Sequence, residues 1–177
     1  QSMGAAGLRK VMRLLNLAQR FRLPVINFID VVGSHPQDEP HGPMWLAVGQ
    51  TMEAYLRLDV PTVSVLLGEG VSGSAIALCM TDRLLALENS YLIPTSLEAI
   101  STVLFKTVSS TTQVAEQLQV GPLILQNLGL CHQVLPDAGA DREALGQALE
   151  AELSVASNLP NRLEQRIARF LGLGYAA

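Results

Sequence analysis

The segment from Val60 to Leu78 constrains the fold more than any other part of the chain. It reads VPTVSVLLGEGVSGSAIAL, an apolar run rich in β-branched residues, then glycines and serines, then small apolar residues at helical spacing. This order predicts a strand over residues 62–67, a tight turn and a short buried helix. Backbone N–H groups at the start of a helix have no intrahelical acceptor, and the helix dipole there favours negative charge. The turn therefore suits a cofactor phosphate or an oxyanion that develops during a reaction; the third alternative is a turn without a ligand.

Length and composition limit the classes of protein. The 177 residues match one domain over residues 1–177, and 49% are hydrophobic while only 16% are charged. That is more apolar surface than a small monomer needs, so we expect an obligate partner surface. The net charge of −4, without a basic stripe, argues against nucleic acid, and no apolar run reaches the length of a membrane span. We expect a cytoplasmic protein, with residues 1–3 interpreted as a tag remnant.

The two cysteines predict no metal site. Cys79 and Cys131 lie far apart in apolar contexts, and neither has a second cysteine or a histidine at zinc spacing. We expect both to be buried free thiols.

Helical and strand patterns alternate along the chain. Helices are predicted over residues 7–21, 44–58, 97–105, 112–118, 120–130, 141–157 and 160–171, strands over 25–29, 62–67, 84–87 and 131–135, and an extended piece over 91–96. Such alternation indicates an α/β fold with a mostly parallel sheet covered by helices. The last two helices form a C-terminal helical tail in this interpretation.

One interpretation of the central turn is a dinucleotide site. The residues from Gly68 to Gly73 match G-x-G-x-x-G after a strand, and Glu88 lies twenty residues beyond Gly68, where a ribose-binding carboxylate is expected. This predicts an NAD-binding oxidoreductase. Two features argue against a dinucleotide site. The helix after Ser74 is unusually short for such a unit, and a helix, a strand, a loop and a second helix precede the motif.

A second interpretation comes from the wider sequence. Its motifs are Gly7 to Phe21 (GLRKVMRLLNLAQRF), Leu23 to Asp30 (LPVINFID), Gly33, Pro36, Asp59-Val-Pro61, Gly68-Glu-Gly-x-Ser-Gly-x-Ala75, Asp82-Arg83, Leu87-Glu-Asn89 and Leu163-Glu-Gln-Arg166. With these motifs in one order nearly end to end, the chain resembles the alpha part of the carboxyltransferase of multisubunit acetyl-CoA carboxylase.

The resemblance implies a crotonase-like ββα superhelix in which backbone amides polarise carbonyl oxygens. The catalytic amides map to two pairs of small residues, Gly33 with Ser34 and Gly73 with Ser74. Residues near the substrate are implied to be Gly70, Val71, Ser72 and His35.

The activity implied by the resemblance moves a carboxyl group between carboxybiotin, held on a partner carrier protein, and an acyl thioester such as acetyl-CoA or malonyl-CoA. It implies no cofactor bound directly to this chain. The implied partners are an acyl-CoA or acyl-carrier thioester, a beta-type carboxyltransferase subunit or domain, and a second copy within a larger complex. Fatty acid or polyketide biosynthesis is the implied context.

Departures from the family pattern open a third interpretation. Val71 and Ser74 stand where the family carries paired glycines in the second loop, and the first loop also differs. Decarboxylation of a malonyl-type thioester passes through the same oxyanion as carboxyl transfer. A thioester decarboxylase domain of a synthase and a non-catalytic assembly subunit therefore remain alternatives.

Several other candidate residues have a simpler interpretation. His35 and its neighbours in the first loop match no standard metal-ligand spacing, which favours surface loop residues. Arg9 and Lys10 suit either a CoA phosphate or a solvated helix face. The arginines of the last helix, Arg162, Arg166 and Arg169, are expected to pair with Glu164 or with a partner chain.

Overall fold

The fold is that of a computed structural model, and the residues described are 2–33, 43–137 and 142–172. Within these residues the helices are α1 (Ala5–Phe21), α2 (Met44–Arg57), α3 (Ser72–Leu78), α4 (Leu97–Phe105), α5 (Thr111–Gln117), α6 (Pro122–Asn127), α7 (Arg142–Asn158) and α8 (Arg162–Leu171). The strands are β1 (Val25–Val31), β2 (Thr62–Val71), β3 (Arg83–Leu87), β4 (Tyr91–Ile93) and β5 (Gln133–Leu135). The predicted alternation of helices and strands is confirmed.

The strands form one sheet in the order β1-β2-β3-β5, and β4 pairs with the second half of β2. Every strand pair in this sheet is parallel. Because the strands run in one direction, their carboxyl ends lie at the same edge, which is where ligands bind in open α/β sheets.

Helices cover both faces of the sheet. On one face α1, α2, α3 and α8 pack against residues such as Ile29 and Leu66, which are completely buried. On the other face α7 packs against Val63 and Val65, which are also completely buried. This arrangement explains the continuous apolar run at the start of β2, because a strand buried on both faces has no polar side.

The course of β2 differs from the sequence prediction. The strand does not end at Leu67 but continues through Gly68 and Gly70 to Val71. The register explains this, since Ile29 of β1 pairs with Leu66 whereas Val31 pairs with Gly70, so that β2 has two additional residues between the pairs. The irregularity turns the end of β2 away from β3 and toward β4.

The predicted helical tail is part of the core. Helix α7 covers one face of the sheet, and α8 places the Arg166 side chain, which is completely buried, against Asp82 at 2.7 Å. Arg166 also donates to the backbone carbonyls of Tyr55 and Leu58 at the end of α2. The expectation that Arg166 pairs with Glu164 or a partner chain is therefore wrong, because its charge is neutralised within this fold.

The neighbouring arginines have similar roles. Arg162 donates to the carbonyls of Ala156 and Ser157 in the last turn of α7, where carbonyls have no intrahelical donor. Arg169 donates to the carbonyls of Thr81 and Asp82 before β3. For these two residues also, the surface pairing expected from the sequence is wrong.

Both cysteines are buried free thiols, as predicted. Burial raises the pKa of Cys79 to about 12, so its reactive thiolate form is disfavoured.

Candidate functional site

The candidate site lies where β1 and β2 end side by side. Gly33 follows Val31 by two residues, Gly73 follows Gly70 by three, and Val31 pairs with Gly70 in the sheet. The two predicted amide positions are thus carried by neighbouring strand ends.

Contacts between three helix starts hold these strand ends in place. The Met3 N–H donates to the Gly33 carbonyl at 2.9 Å, just before α1 begins. Met3 also packs in an apolar cluster of Ala5 and Ala47, together with Val48. A β-carbon added to Gly73 would lie 3.2 Å from Val48 Cγ1, which places the start of α3 against α2.

This chain of contacts brings the amino ends of α1, α2 and α3 to the same edge of the sheet. Helix amino ends carry partial positive charge and free N–H groups, so the edge is electrostatically suited to an oxyanion. The interpretation of residues 1–3 as a tag remnant remains a prediction.

Asp30 fixes the irregularity in β2. Its Oδ1 accepts a hydrogen bond from the Glu69 N–H at 3.1 Å. A β-carbon on Gly68 would lie only 2.9 Å from the same oxygen, so a larger residue at this position would displace the Asp30 carboxylate. The Asp30 carboxylate therefore directs the last residues of β2 toward the site.

Glu69 pairs with Tyr91 where the end of β2 meets β4. Burial, followed by the charge of Glu69, raises the pKa of the Tyr91 hydroxyl to about 12.

Gly70 and Val71, both implied to bind substrate, lie inside the strand. A β-carbon on Gly70 would lie 2.8 Å from Leu66 Cδ1 and 2.9 Å from the Tyr91 carbonyl oxygen. Val71 is 5% exposed and pairs with Ile93. The small size of Gly70 is thus explained by packing against β4, and Val71 is buried.

Ser72, Gly73 and Ser74 form the first turn of α3. Ser72 has a φ of +80°, a region that non-glycine residues rarely adopt, and such strain is typical of functional turns. Its Oγ lies 3.0 Å from Ser74 Oγ and accepts the Ser74 N–H at 3.3 Å. Ser74 is completely buried. Gly73 lies in the first turn of α3, so no carbonyl within the helix accepts a hydrogen bond from its N–H.

Gly33 has a φ of +143°, and a β-carbon there would meet nothing within 4 Å. This glycine is needed for backbone conformation rather than for space. Ser34 and His35, predicted to complete the first amide site, lie outside the described residues. Their roles remain predictions.

The dinucleotide interpretation has no support in this geometry. Gly68 and Gly70 are strand residues, so they do not form the turn that holds a pyrophosphate. The Glu88 carboxylate, which this interpretation assigns to a ribose, accepts a hydrogen bond from the Asp137 N–H at 3.1 Å.

Two other classes of site receive no support from the described part of the chain. Residues 2–33, 43–137 and 142–172 contain no group of three or more histidines, cysteines or carboxylates that could hold a metal ion. Among the helices in these ranges, none is long and apolar enough to cross a membrane.

Sequence reasoning missed Asp30 and Val48 as positioning residues. Asp30 ends the motif LPVINFID, and a carboxylate directly after an apolar run is a signal that could have been used. Val48 carries no such signal, since it is one apolar residue among many on α2.

The parallel sheet with helices on both faces is the crotonase-like fold that the sequence predicted. Residues 2–174 match the model of the acetyl co-enzyme A carboxylase carboxyltransferase-like family. The chain belongs to this family.

Sequence relatives agree with this assignment. The chain is 38% identical over 180 residues to the acetyl-coenzyme A carboxylase carboxyl transferase subunit alpha of Rubrobacter xylanophilus, covering 95% of this chain and 56% of that protein. It is also 38% identical over 176 residues to the acetyl-coenzyme A carboxylase carboxyl transferase subunits beta/alpha of Saccharopolyspora erythraea. This match covers 93% of this chain and 31% of that protein. The chain thus spans about half of the alpha subunit to which it is similar.

Solved structures show the same fold. A Pseudomonas malonate decarboxylase hetero-tetramer in complex with coenzyme A has a TM-score of 0.80 at 18% identity, covering 98% of this chain and 73% of that one. Transcarboxylase 12S with methylmalonyl-coenzyme A bound has a TM-score of 0.72 at 20% identity, covering 86% of this chain and 32% of that one.

Proposed function

We propose that this chain supplies one half of a carboxyltransferase site that acts on an acyl thioester. In this proposal the backbone amides near Gly33 and Gly73 stabilise the oxyanions that form when a carboxyl group moves between carboxybiotin and a thioester such as acetyl-CoA. The observation that carries the proposal is the placement of both glycines at neighbouring strand ends, in a chain that belongs to the carboxyltransferase-like family.

Backbone amides suit this reaction because an enolate and the urea of biotin both concentrate negative charge on an oxygen. A donor fixed in advance stabilises such an oxygen without reorganisation, and removal of one donor typically costs about 3 kcal/mol in the transition state. The amino ends of α1, α2 and α3 add their partial positive charge.

Carboxybiotin, carried by a partner protein, would supply the carboxyl group. The residues present fit this group in two respects. A urea oxygen requires N–H donors, which the first turn of α3 offers at Gly73. Val71 is only 5% exposed, which supports an approach that its side chain leaves open.

A beta-type partner is part of the proposal. The relative from Saccharopolyspora erythraea carries beta and alpha subunits under one name, and this chain matches 31% of its length. We infer that a beta-type subunit or domain contributes the other half of the site.

Thioester decarboxylation remains a second candidate because it needs only the enolate-stabilising half of the reaction. The two residues that depart from the family's paired glycines, Val71 and Ser74, are 5% and 0% exposed. The Ser74 N–H donates to Ser72 Oγ at 3.3 Å, so the Gly73 N–H in the first turn of α3 is the donor on which the decarboxylase alternative depends.

The test is an assay of the chain with and without a beta-type partner. Malonyl-CoA is supplied with free biotin, and both the transfer of its carboxyl group to biotin and the release of carbon dioxide are measured. NAD serves as a negative control, since it should change neither rate. We expect carboxyl transfer only when the partner is present. Carbon dioxide release without transfer would support the decarboxylase, and no turnover in the complex would overturn both.

A matched pair of variants tests the role of the amide. Gly33→Ala strains the backbone at the site, whereas Gly129→Ala introduces strain at another positive φ, +72°, with equally open space around the new β-carbon. We expect Gly33→Ala to lower kcat by about 100-fold or more, as loss of an oxyanion donor does. Equal effects of the two variants on kcat would contradict the assignment of Gly33.

A further inference from the structure

A small cavity lies beside α8, at the edge of the sheet opposite the candidate site. Arg83 is the first residue of β3 and His132 directly precedes β5, so the cavity lies at the amino ends of the strands. Its volume is about 180 Å³, which is the space of about six water molecules. The polar side chains that line it are those of Asp82, Arg83, His132, Gln165, Arg166 and Arg169.

The lining has more positive than negative charge. Arg166 pairs with Asp82 at 2.7 Å, and Arg83 pairs with Glu152 of α7. Arg169 forms no ion pair in the described part of the chain. Burial lowers the pKa of Arg169 to about 10, although the charge of Asp82 opposes this shift. One partly buried cation therefore has no carboxylate partner of its own.

The hydrogen bonds of His132 fix which ring nitrogen carries the proton. Its Nδ1 accepts the Leu84 N–H at 3.0 Å, so Nδ1 is unprotonated and the neutral ring carries its proton on Nε2. Arg169 Nη1 lies 3.0 Å from Nε2. A guanidinium group only donates, so this contact brings two N–H groups together without an acceptor.

A further N–H of Arg169 has no acceptor. Its two Nη atoms donate to the carbonyls of Thr81 and Asp82. Its Nε is buried and has no hydrogen-bond partner among the residues that the structure describes. A buried donor of this kind calls for an ordered water or an ion. Because Arg169 and His132 both line the cavity, this is where an acceptor for their N–H groups would lie.

We propose that this cavity binds a small inorganic oxyanion, of the class that phosphate and sulfate represent. Such an ion accepts hydrogen bonds from Arg169 and His132 through different oxygens, and its charge offsets the unpaired cation. A water molecule would satisfy N–H groups but leave the charge. The Asp82 carboxylate also lines the cavity, but its charge is already neutralised by Arg166.

The expected effect of the ion is on stability. Bound between Arg169 and His132, it would connect α8 to the start of β5. A ligand that binds only the native state stabilises it in proportion to the logarithm of its concentration. The site lies away from the strand ends that carry Gly33 and Gly73, so this proposal is independent of the proposed function.

The test variant is Gln165→Glu. Gln165 is exposed and lines the cavity, so a carboxylate there repels an anion without a change in the core. The matched control is Gln126→Glu, which makes the same charge change at an exposed helix residue outside the cavity. Gln165 donates to the Pro160 carbonyl at 2.7 Å, and the variant loses this bond. The readout is therefore the change that each ion causes within one protein.

Thermal unfolding is followed with sodium phosphate, sodium sulfate and sodium chloride at equal ionic strength. We expect phosphate and sulfate to raise the melting temperature of wild type and Gln126→Glu more than chloride does, and Gln165→Glu to weaken the apparent affinity about tenfold. Exclusion of both oxyanions from protein surfaces also stabilises, but equally in all three proteins. The same response in all three, or an equal effect of chloride, would overturn the proposal.

Nuclear magnetic resonance of the imidazole nitrogens tests the geometry directly. The chain has three histidines, and His132→Asn identifies the signals of His132. Long-range ¹H–¹⁵N correlation should show its proton on Nε2, and phosphate should shift the Nε2 signal over the concentrations that raise the melting temperature. A proton on Nδ1, or an Nε2 signal that phosphate leaves unchanged, would overturn the site.

Discussion

Two glycines of the chain differ in what a methyl group would meet. A β-carbon on Gly70 would lie within 2.9 Å of the Tyr91 carbonyl oxygen, which belongs to the backbone and cannot turn aside. A β-carbon on Gly49, inside α2, would meet nothing within 4 Å. The first glycine is required by the close approach of β4, and the second is a residue with low helix propensity in a helix.

We therefore expect Gly70→Ala to lower the free energy of unfolding by about 1–3 kcal/mol, as overpacking does. Gly49→Ala should raise it by about 0.5–1 kcal/mol, because alanine stabilises a helix interior. Urea denaturation followed by circular dichroism measures both. A Gly70→Ala protein as stable as wild type would show that β4 does not pack against β2 as described.

His132 should make stability depend on pH. Its Nδ1 accepts the Leu84 N–H at 3.0 Å, and Arg169 Nη1 lies 3.0 Å from its Nε2. Burial, followed by the charges of Arg169 and Arg83, lowers the pKa of His132 to about 3. The native state thus keeps this histidine neutral, while the unfolded chain binds a proton near its ordinary pKa of about 6.5.

Stability from this group is therefore fully present above pH 6.5 and is lost as the pH falls toward 3, because the unfolded state then binds more protons. The variant His132→Asn keeps an acceptor for Leu84 but does not titrate. We expect the free energy of unfolding to fall more between pH 7 and pH 4.5 in wild type than in the variant. Parallel pH profiles for the two proteins would contradict the neutral, buried state of His132.

At the scale of elements, one side chain connects α8 to three other parts of the fold. Arg166 bonds to Asp82 at 2.7 and 2.9 Å and donates to the Leu58 carbonyl at 2.9 Å. Asp82 in turn accepts the Thr62 N–H at 2.8 Å at the start of β2. Helix α8, the end of α2 and the starts of β2 and β3 thus meet at one buried ion pair.

Arg166→Met should lower the free energy of unfolding by about 3 kcal/mol, because it removes the closer of two cations from the buried Asp82 carboxylate and leaves only Arg162, at 3.9 Å. Arg57→Met is the control, since Arg57 forms an exposed pair with Glu53 one helical turn away and should change stability by about 0.5 kcal/mol or less. Urea denaturation compares the two. Adding Asp82→Asn to Arg166→Met should recover part of the loss, and similar effects of Arg57→Met and Arg166→Met would contradict the buried pair.

At the scale of the whole molecule, the sheet is covered unevenly. Ile26 and Phe28 of the edge strand β1 are 41% and 56% exposed, although their partners in β2, Val63 and Val65, are completely buried beneath α7. The cover given by α7 ends before β1. An edge strand with exposed apolar residues favours association with other chains, which agrees with the apolar composition.

Phe28→Lys should reduce concentration-dependent self-association of the chain, because a lysine on an edge strand opposes strand pairing. Its melting temperature should change little, since the side chain is exposed. Sedimentation velocity over a range of concentrations measures the effect. Leu171→Lys is the control, because Leu171 is exposed at the end of α8, far from β1 in sequence. Equal self-association of wild type and Phe28→Lys would exclude this surface.

The sequence by itself determined which segments become helices and strands. Leu97–Phe105 was predicted without error, and the apolar run before Leu87 was correctly assigned to a strand, because periodicity and turn residues are local signals. The assignment of Gly33 and Gly73 to the candidate site came from the family resemblance and stays a prediction. Only the tertiary structure decided where β2 ends, because its glycines read as a turn until Asp30 and β4 are in contact with them. It also decided the burial of Arg166, whose partner Asp82 lies 84 residues away. A charge on a helix face looks solvated from sequence alone, since only the packed fold brings its counter-charge into contact.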